Sequence, residues 1–175
     1  SWDLALHTVI SFLTNTNQQH YSGQAQLSYL SQMTGIVGLQ VITPMMGLAL
    51  VVATLRAFFY QHPSHIAADV AEQPDQILIG NYWADVIRPT VRFLLPLCFF
   101  WSLLLNSQGV PSTFQSGPEV QLIDKANSVE TQKIPLGPVA PMVAIKQLGS
   151  NGGGWYGPNS SVPLENPTPF SNLLE

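Results

Sequence analysis

The sequence predicts an all-α membrane protein made of a repeated unit, in which a membrane helix leads to a short apolar helix, a polar loop and a second membrane helix. Three observations carry that prediction. Charged side chains make up 9% of the 175 residues, against roughly 25% in an ordinary soluble domain. Hydrophobic residues reach 46%, and the mean hydropathy is positive. Residues 4–55 form 52 consecutive positions without Asp, Glu, Lys or Arg.

The elements follow in chain order. The apolar segment at residues 4–13, within a short helix predicted at 2–13, cannot cross a bilayer, since ten helical residues reach only about 15 Å. It reads as a re-entrant helix and is followed by a polar loop at 14–19, opening Thr14-Asn15-Thr16-Asn17. Residues 28–60 are long enough to span. They include Gly35, Gly38 and Gly47, which permit close helix contact, and Pro44, which is expected to kink the helix or remove a hydrogen bond. A connection at 61–81 carries Asp69, Glu72 and Asp75 and is expected in solvent.

The second span, 83–108, is entered through Arg88-Pro89 and Arg92 and interrupted by Pro96. A polar connection with Pro and Gly punctuation, 109–137, leads to a second short helix at 138–148. The loop at 149–154, Gly-Ser-Asn-Gly-Gly-Gly, comes next, and a further helix starts at about 168–175. The chain thus holds one and a half copies of the unit. The two loops share only a Thr/Ser-Asn-Thr/Gly pattern, so the repeat rests on the order of elements, an arrangement common in transport folds. The chain starts at Ser1 without a basic leader and stops just after a helix-start pattern, and is therefore expected to be a fragment of a longer protein.

Charge leaves the orientation open: Arg56, Arg88 and Arg92 flank one connection, while Lys125, Lys133 and Lys146 lie on the other side. With a net charge of −4 and no basic patch, the sequence argues against nucleic acid as a partner and toward lipid and protein. Cys98, the single cysteine, sits in an apolar run and is expected to act as a small buried hydrophobe.

The loops suggest ion chemistry. A short helix points its carbonyl pole, worth roughly half a negative charge, at whatever follows it. Loops of Thr, Asn and Gly can offer backbone and side-chain oxygens that replace the hydration shell of a monovalent cation. Residues 4–55 and 147–164 contribute only Glu-free, Asp-free sequence, whereas calcium and magnesium sites normally use carboxylates. The pattern favours K⁺ or Na⁺ without choosing between them. Asn-Thr-Asn is also an ordinary turn signal, and Gly-Gly-Gly also suits a flexible linker. A phosphate-cradling reading of 150–154 lacks both a following Gly-Lys-Ser/Thr and a preceding strand.

Catalytic signals are weak. His7, His20, His62 and His65 show no spacing typical of metal ligands, and no Gly-x-Ser-x-Gly string is present. Asp85 near Arg88 reads as an interfacial ion pair at a helix start, and Glu165 as a residue serving the helix N-terminus that follows it.

Five stretches resemble one family. They are Thr-Asn-Thr-Asn-Gln-Gln-His-Tyr-Ser-Gly at 14–23, Ser-Tyr-Leu-Ser-Gln-Met at 28–33, Leu-Gly-Pro-Val-Ala at 136–140, Gly-Ser-Asn-Gly-Gly-Gly at 149–154, and Glu-Asn-Pro-Thr-Pro-Phe-Ser-Asn at 165–172. In this order they resemble the potassium-binding A subunit (KdpA) of the bacterial Kdp potassium-importing ATPases. The resemblance implies a fold of the potassium-transporter type, four units of membrane helix, pore helix, filter loop and membrane helix around one filter. This chain would supply the first and second loops. It further implies filter positions at Asn15, Thr16 and Asn17, with Gln19 just beyond, and at Ser150, Asn151, Gly152 and Gly153. The connection at 61–81 would be cytoplasmic and the one at 109–137 external.

The same resemblance implies a multi-pass protein of the bacterial inner membrane that is not catalytic itself. ATP and Mg²⁺ would enter only through a partner P-type ATPase subunit, KdpB, with KdpC and KdpF completing the complex. K⁺ would be transported cargo, with no cofactor in this chain. The chain carries no Asp-Lys-Thr-Gly phosphorylation motif. It departs from the family pattern at Gln18, where Trp is usual, at Ser150, where Thr is usual, and at Trp155-Tyr156, where Phe-Phe is usual; the external connection is also shorter than in some members. The alternatives to an ATP-driven importer are an ATP-independent potassium channel or symporter subunit, and a structural membrane scaffold that binds no ion.

Overall fold

Apolar segments without water to bond their amides must satisfy them internally, and a helix does so within one segment. A computed structural model describes residues 1–14, 16, 18–59, 80–123, 130–149, 152–157 and 159–175. Residues 61–79 of the connection predicted at 61–81, with His62, His65, Asp69, Glu72 and Asp75, lie outside the described residues.

Helix α1 (Trp2–Leu13) starts at Ser1, whose hydroxyl accepts from the Leu4 amide at 3.4 Å. A single turn, α2 (Gly23–Gln26), precedes the first long helix, α3 (Tyr29–Phe59), of 31 residues. The second, α4 (Tyr82–Ser107), has 26 and is capped by the Asn81 side chain, which accepts from the Ala84 amide at 3.1 Å. At 1.5 Å per residue these are about 46 and 39 Å long, more than the hydrocarbon thickness of a bilayer. The shorter α5 (Val139–Leu148) and α6 (Pro169–Leu174) close the series, and Thr168 and Ser171 form a reciprocal capping box at α6.

The expectation of a wholly helical chain needs one correction. Glu119–Gln121 (β1) pairs antiparallel with Thr131–Lys133 (β2), placing Glu119 opposite Lys133. Both strands are exposed, and the opposite charges on this pair support the register.

Neither long helix is regular α throughout. Gln32–Ile36 and Thr90–Leu94 form wider π turns. The second lies between Pro89 and Pro96, neither of which has an amide hydrogen to give the preceding turn. At Pro44 the helix Val37–Phe59 continues unbroken. Pro44 still has no hydrogen to offer the Gln40 carbonyl four residues earlier, and that carbonyl faces Gly149 at the end of α5.

The ion pair expected between Asp85 and Arg88 is also different. Asp85 pairs with Arg56 at the far end of α3, with Arg56 Nη2 donating to Oδ1 at 3.0 Å and Nη1 to Oδ2. The fork of the guanidinium meets both carboxylate oxygens and ties the two long helices together.

The core forms around α5. Val139, Ala140, Met142, Val143, Ala144, Ile145 and Lys146 are all buried. They meet Ile36 of α3, Leu105 of α4, and Val110, Trp155 and Tyr156 from the flanking loops. A smaller cluster joins Ile145 to Met45 and Leu94, with Cys98 half-buried against it. By contrast α1 leaves Trp2, Leu6, Val9, Ile10 and Leu13 exposed and buries only Ser11.

Replacing Met142 by Ala removes a fully buried side chain from the middle of this core. The substitution is expected to destabilise the protein by about 2–5 kcal/mol, whereas Met142→Leu should cost less than about 1.5 kcal/mol. Thermal unfolding in detergent of the protein containing this chain would check the contrast.

A candidate ion site where two polar loops meet

Ser11, the buried residue of α1, organises the first loop. Its hydroxyl accepts from the Gln18 amide at 2.7 Å and donates to the Gln18 carbonyl at 3.2 Å, while its own carbonyl accepts from the Thr16 amide at 2.9 Å. Thr14 donates its hydroxyl to the Ile10 carbonyl at 2.9 Å and shares a 2.8 Å bond with the Thr16 hydroxyl. The chain therefore folds back at the end of α1 and delivers Gln19 to the second loop.

Gln19 bridges the loops. Its Nε2 donates to the carbonyls of Tyr21 and Gly154, both at 3.0 Å, and its Oε1 accepts from the Gly154 amide at 2.8 Å. The two bonds to Gly154 reproduce, with a side-chain amide, the paired exchange between strands of an antiparallel ladder.

The second loop starts where α5 meets α3. A Cβ on Gly149 would lie 3.0 Å from the Gln40 carbonyl oxygen and 3.2 Å from Pro44 Cγ, so only a backbone fits this approach. Gly152 and Gly153 have φ of 72° and 83°, in the left-handed region that costs other residues roughly 1–2 kcal/mol. The Gly152 carbonyl accepts from Gln40 Nε2 at 3.4 Å.

A small cavity lies at the crossing, lined by Phe12, Gln18, Gln19, Tyr21, Gln40, Gly152 and Gly153. It has room for about one water-sized particle. Its lining is neutral, and burial pushes the Tyr21 phenol up to about 12, so it stays protonated.

Charge sits behind the second loop. Lys146 and Glu165 are both 0% exposed, with Lys146 Nζ at 4.0 Å from Glu165 Oε2 and 3.8 Å from Glu175 Oε2. Lys146 donates to the Ser160 hydroxyl, which also accepts from Gln147 Nε2 at 3.5 Å. Glu165 Oε1 accepts from the Trp155 amide and, at 3.4 Å, from the Tyr156 amide. Glu165 therefore does not serve α6, as its place in the sequence suggests, because Thr168 and Ser171 already cap that helix. Burial drives the Lys146 ammonium below its ordinary range and the Glu165 carboxyl above its own, while their mutual attraction opposes both shifts.

Of the residues predicted for a filter, the structure brings together Gln19, Gly152 and Gly153. Thr16 is exposed with its hydroxyl on Thr14. Asn15, Asn17, Ser150 and Asn151 lie outside the described residues. Sequence reasoning passed over Gln40, Lys146 and the true contacts of Glu165. Gln32, Ile36 and Gln40 recur every four residues in a charge-free helix and are all buried, which is a readable stripe. Lys146, a lone charge in an apolar helix, was readable too.

The arrangement defines a membrane-type helical protein in which two short helices bring neutral, oxygen-rich loops to one point between longer helices. Comparison places it more narrowly: the chain belongs to the KdpA family, "Potassium-transporting ATPase A subunit", whose family model it matches over residues 1–175. It is 45% identical to the potassium-transporting ATPase potassium-binding subunit of Clostridium perfringens, with 100% of this chain aligned to 29% of that protein. The subunit of the same name from Pseudomonas putida is 45% identical over 99% of this chain and 28% of its own length. That from Gloeobacter violaceus is 43% identical over 100% of this chain and 29% of its own. The chain thus spans less than a third of the length of these curated relatives.

Gln19→Ala removes the bridge without altering either helix. Losing it should speed hydrogen exchange at the Gly154 amide by about 5- to 150-fold, the equivalent of about 1–3 kcal/mol for a buried donor left without its acceptor. Exchange measured by mass spectrometry on the segment around Gly154 would show it.

Proposed function

We propose that this chain forms two of the oxygen-bearing loops with which the ion-binding subunit of an ATP-driven potassium importer selects K⁺. The observation that carries the reading is the bridge from Gln19 to Gly154, which joins the two loops beside a neutral cavity. The names of the relatives, potassium-binding subunits of potassium-transporting ATPases, support the same ion.

The mechanism is selection without bond chemistry. A K⁺ ion entering the crossing gives up water for backbone carbonyls and side-chain oxygens, supplied in this proposal by Asn15, Thr16, Asn17, Ser150, Asn151, Gly152 and Gly153. The carbonyl ends of α1 and α5 add negative potential where the ion sits. Neutral oxygens suit a monovalent ion, which must also leave again, better than carboxylates that would hold a divalent one. In this reading α1 and α5 are pore helices, α3 and α4 are spans of a multi-pass inner-membrane protein, and residues 61–81 face the cytoplasm. Hydrolysis belongs to a partner P-type subunit, KdpB, which alone handles ATP and Mg²⁺, with KdpC and KdpF completing the assembly.

Gly152→Ser in the full-length subunit, within its assembled complex, tests the proposal. A left-handed serine carries roughly 1–2 kcal/mol of strain, so the K⁺ concentration for half-maximal ATP hydrolysis should rise by about 5- to 30-fold, with weaker discrimination against Na⁺. Unchanged K⁺ activation and K⁺/Na⁺ preference would return residues 149–154 to the status of a plain turn.

A further inference from the structure

The buried charges behind the second loop have no role in the selection step described above. Neither Lys146 nor Glu165 lines the cavity at the crossing. Taking two such groups out of water costs several kcal/mol per ion, and hydrophobic residues of equal volume would often hold the fold as well. Their geometry gives them another task.

Glu165 Oε1 takes the amides of Trp155 and Tyr156, the two residues that follow the glycine triplet. Both of its oxygens occupy the place of the side chain that Gly154 lacks, 2.6 Å from where a Cβ would stand. Gly154 is therefore gripped from two sides, by the Gln19 amide in front and the Glu165 carboxylate behind. Lys146, in the last turn of α5, brings its Nζ to 4.0 Å from the other oxygen of that carboxylate and donates to Ser160 on the returning segment of the loop. Ser160 has a φ of 52°, the only positive value for a non-glycine among the described residues, so the returning chain is held in an unfavourable turn where Lys146 and Gln147 reach it.

We propose that Lys146 and Glu165 form a buried strut that fixes the second polar loop from behind, making them positioning residues for K⁺ discrimination. The inference rests on the proposed selective role of the loop. Selectivity depends on how many oxygens face the ion and how far they can move. Releasing the rear grip lets the 152–154 backbone relax about the Gln19 contact and admits Na⁺ more readily.

The test uses the full-length subunit in its assembled complex, reading K⁺- and Na⁺-stimulated ATP hydrolysis for Lys146→Met, Glu165→Gln and the double variant, each in a Glu175→Gln background that removes the other carboxylate beside Lys146, with Gly152→Ser alongside. Each single variant leaves one buried charge unpaired and should assemble poorly. The double variant leaves no unpaired charge and keeps an oxygen for the Trp155 amide, so it should assemble like wild type. Its K⁺/Na⁺ preference should nevertheless fall by about 10-fold, the scale on which outer-shell partners tune a metal site. A wild-type preference in the assembled double variant, with Gly152→Ser impaired, overturns the strut and leaves the loop's role standing. Failure of the double variant to assemble also overturns it, because the pair would then serve folding itself. If Gly152→Ser has no effect, the reading of the loop falls and the strut falls with it.

Discussion

A buried peptide group must find its partner inside the protein, and that constraint governs everything around the two polar loops. Helices meet it by themselves; loops cannot. The first loop meets it through Ser11, whose hydroxyl takes both backbone groups of Gln18. The second meets it through side chains reaching in from elsewhere: Gln19 from the first loop, Gln40 from α3, Glu165 from its own return. The second loop is thus completed by the first and by the long helix between them, so it is not a local structure in the sense that a surface turn is.

The partners divide by charge. Those that face the cavity are amides and a phenol that keeps its proton. The titratable groups Lys146 and Glu165 stand behind, 4.0 Å from one another, with Glu175 also beside Lys146. Formal charge next to the cavity would dominate the field there, since Coulomb terms grow as the dielectric falls. Keeping it one layer back leaves the small dipoles of backbone carbonyls to set the potential. The same layering goes with the burial of α5, which carries Lys146, while α1 buries only Ser11.

Much of this was legible in the sequence. An uncharged run longer than fifty residues marks membrane-length helix, and apolar segments too short to cross, each ending in Asn, Thr, Ser or Gly, mark the places where helix gives way to loop. Contacts between distant residues were not legible. Asp85 has Arg88 one turn away, yet pairs with Arg56, 29 residues earlier, because the antiparallel packing of α3 on α4 brings the ends together. Glu165 stands before a helix and looks like a cap, but Thr168 fills that role and the carboxylate turns inward instead. The hairpin escaped because three-residue exposed strands carry no hydrophobic alternation to read. The π turns escaped because a wider turn leaves no compositional mark beyond nearby proline, and Gln32–Ile36 has none.

The glycine triplet repays a closer look, for its three members are not interchangeable. At 152 and 153 one objection to any other residue is handedness, since the backbone sits where an L side chain is strained, and at 153 a Cβ would also stand 2.8 Å from Gln19 Oε1. At 154 the backbone accepts an L residue, but the volume is already taken by a carboxylate. Chirality disfavours other amino acids at 152 and 153, and occupancy does so at 153 and 154. A uniform string of letters therefore hides two separate restrictions, and glycine is the one genetically encoded residue that satisfies both.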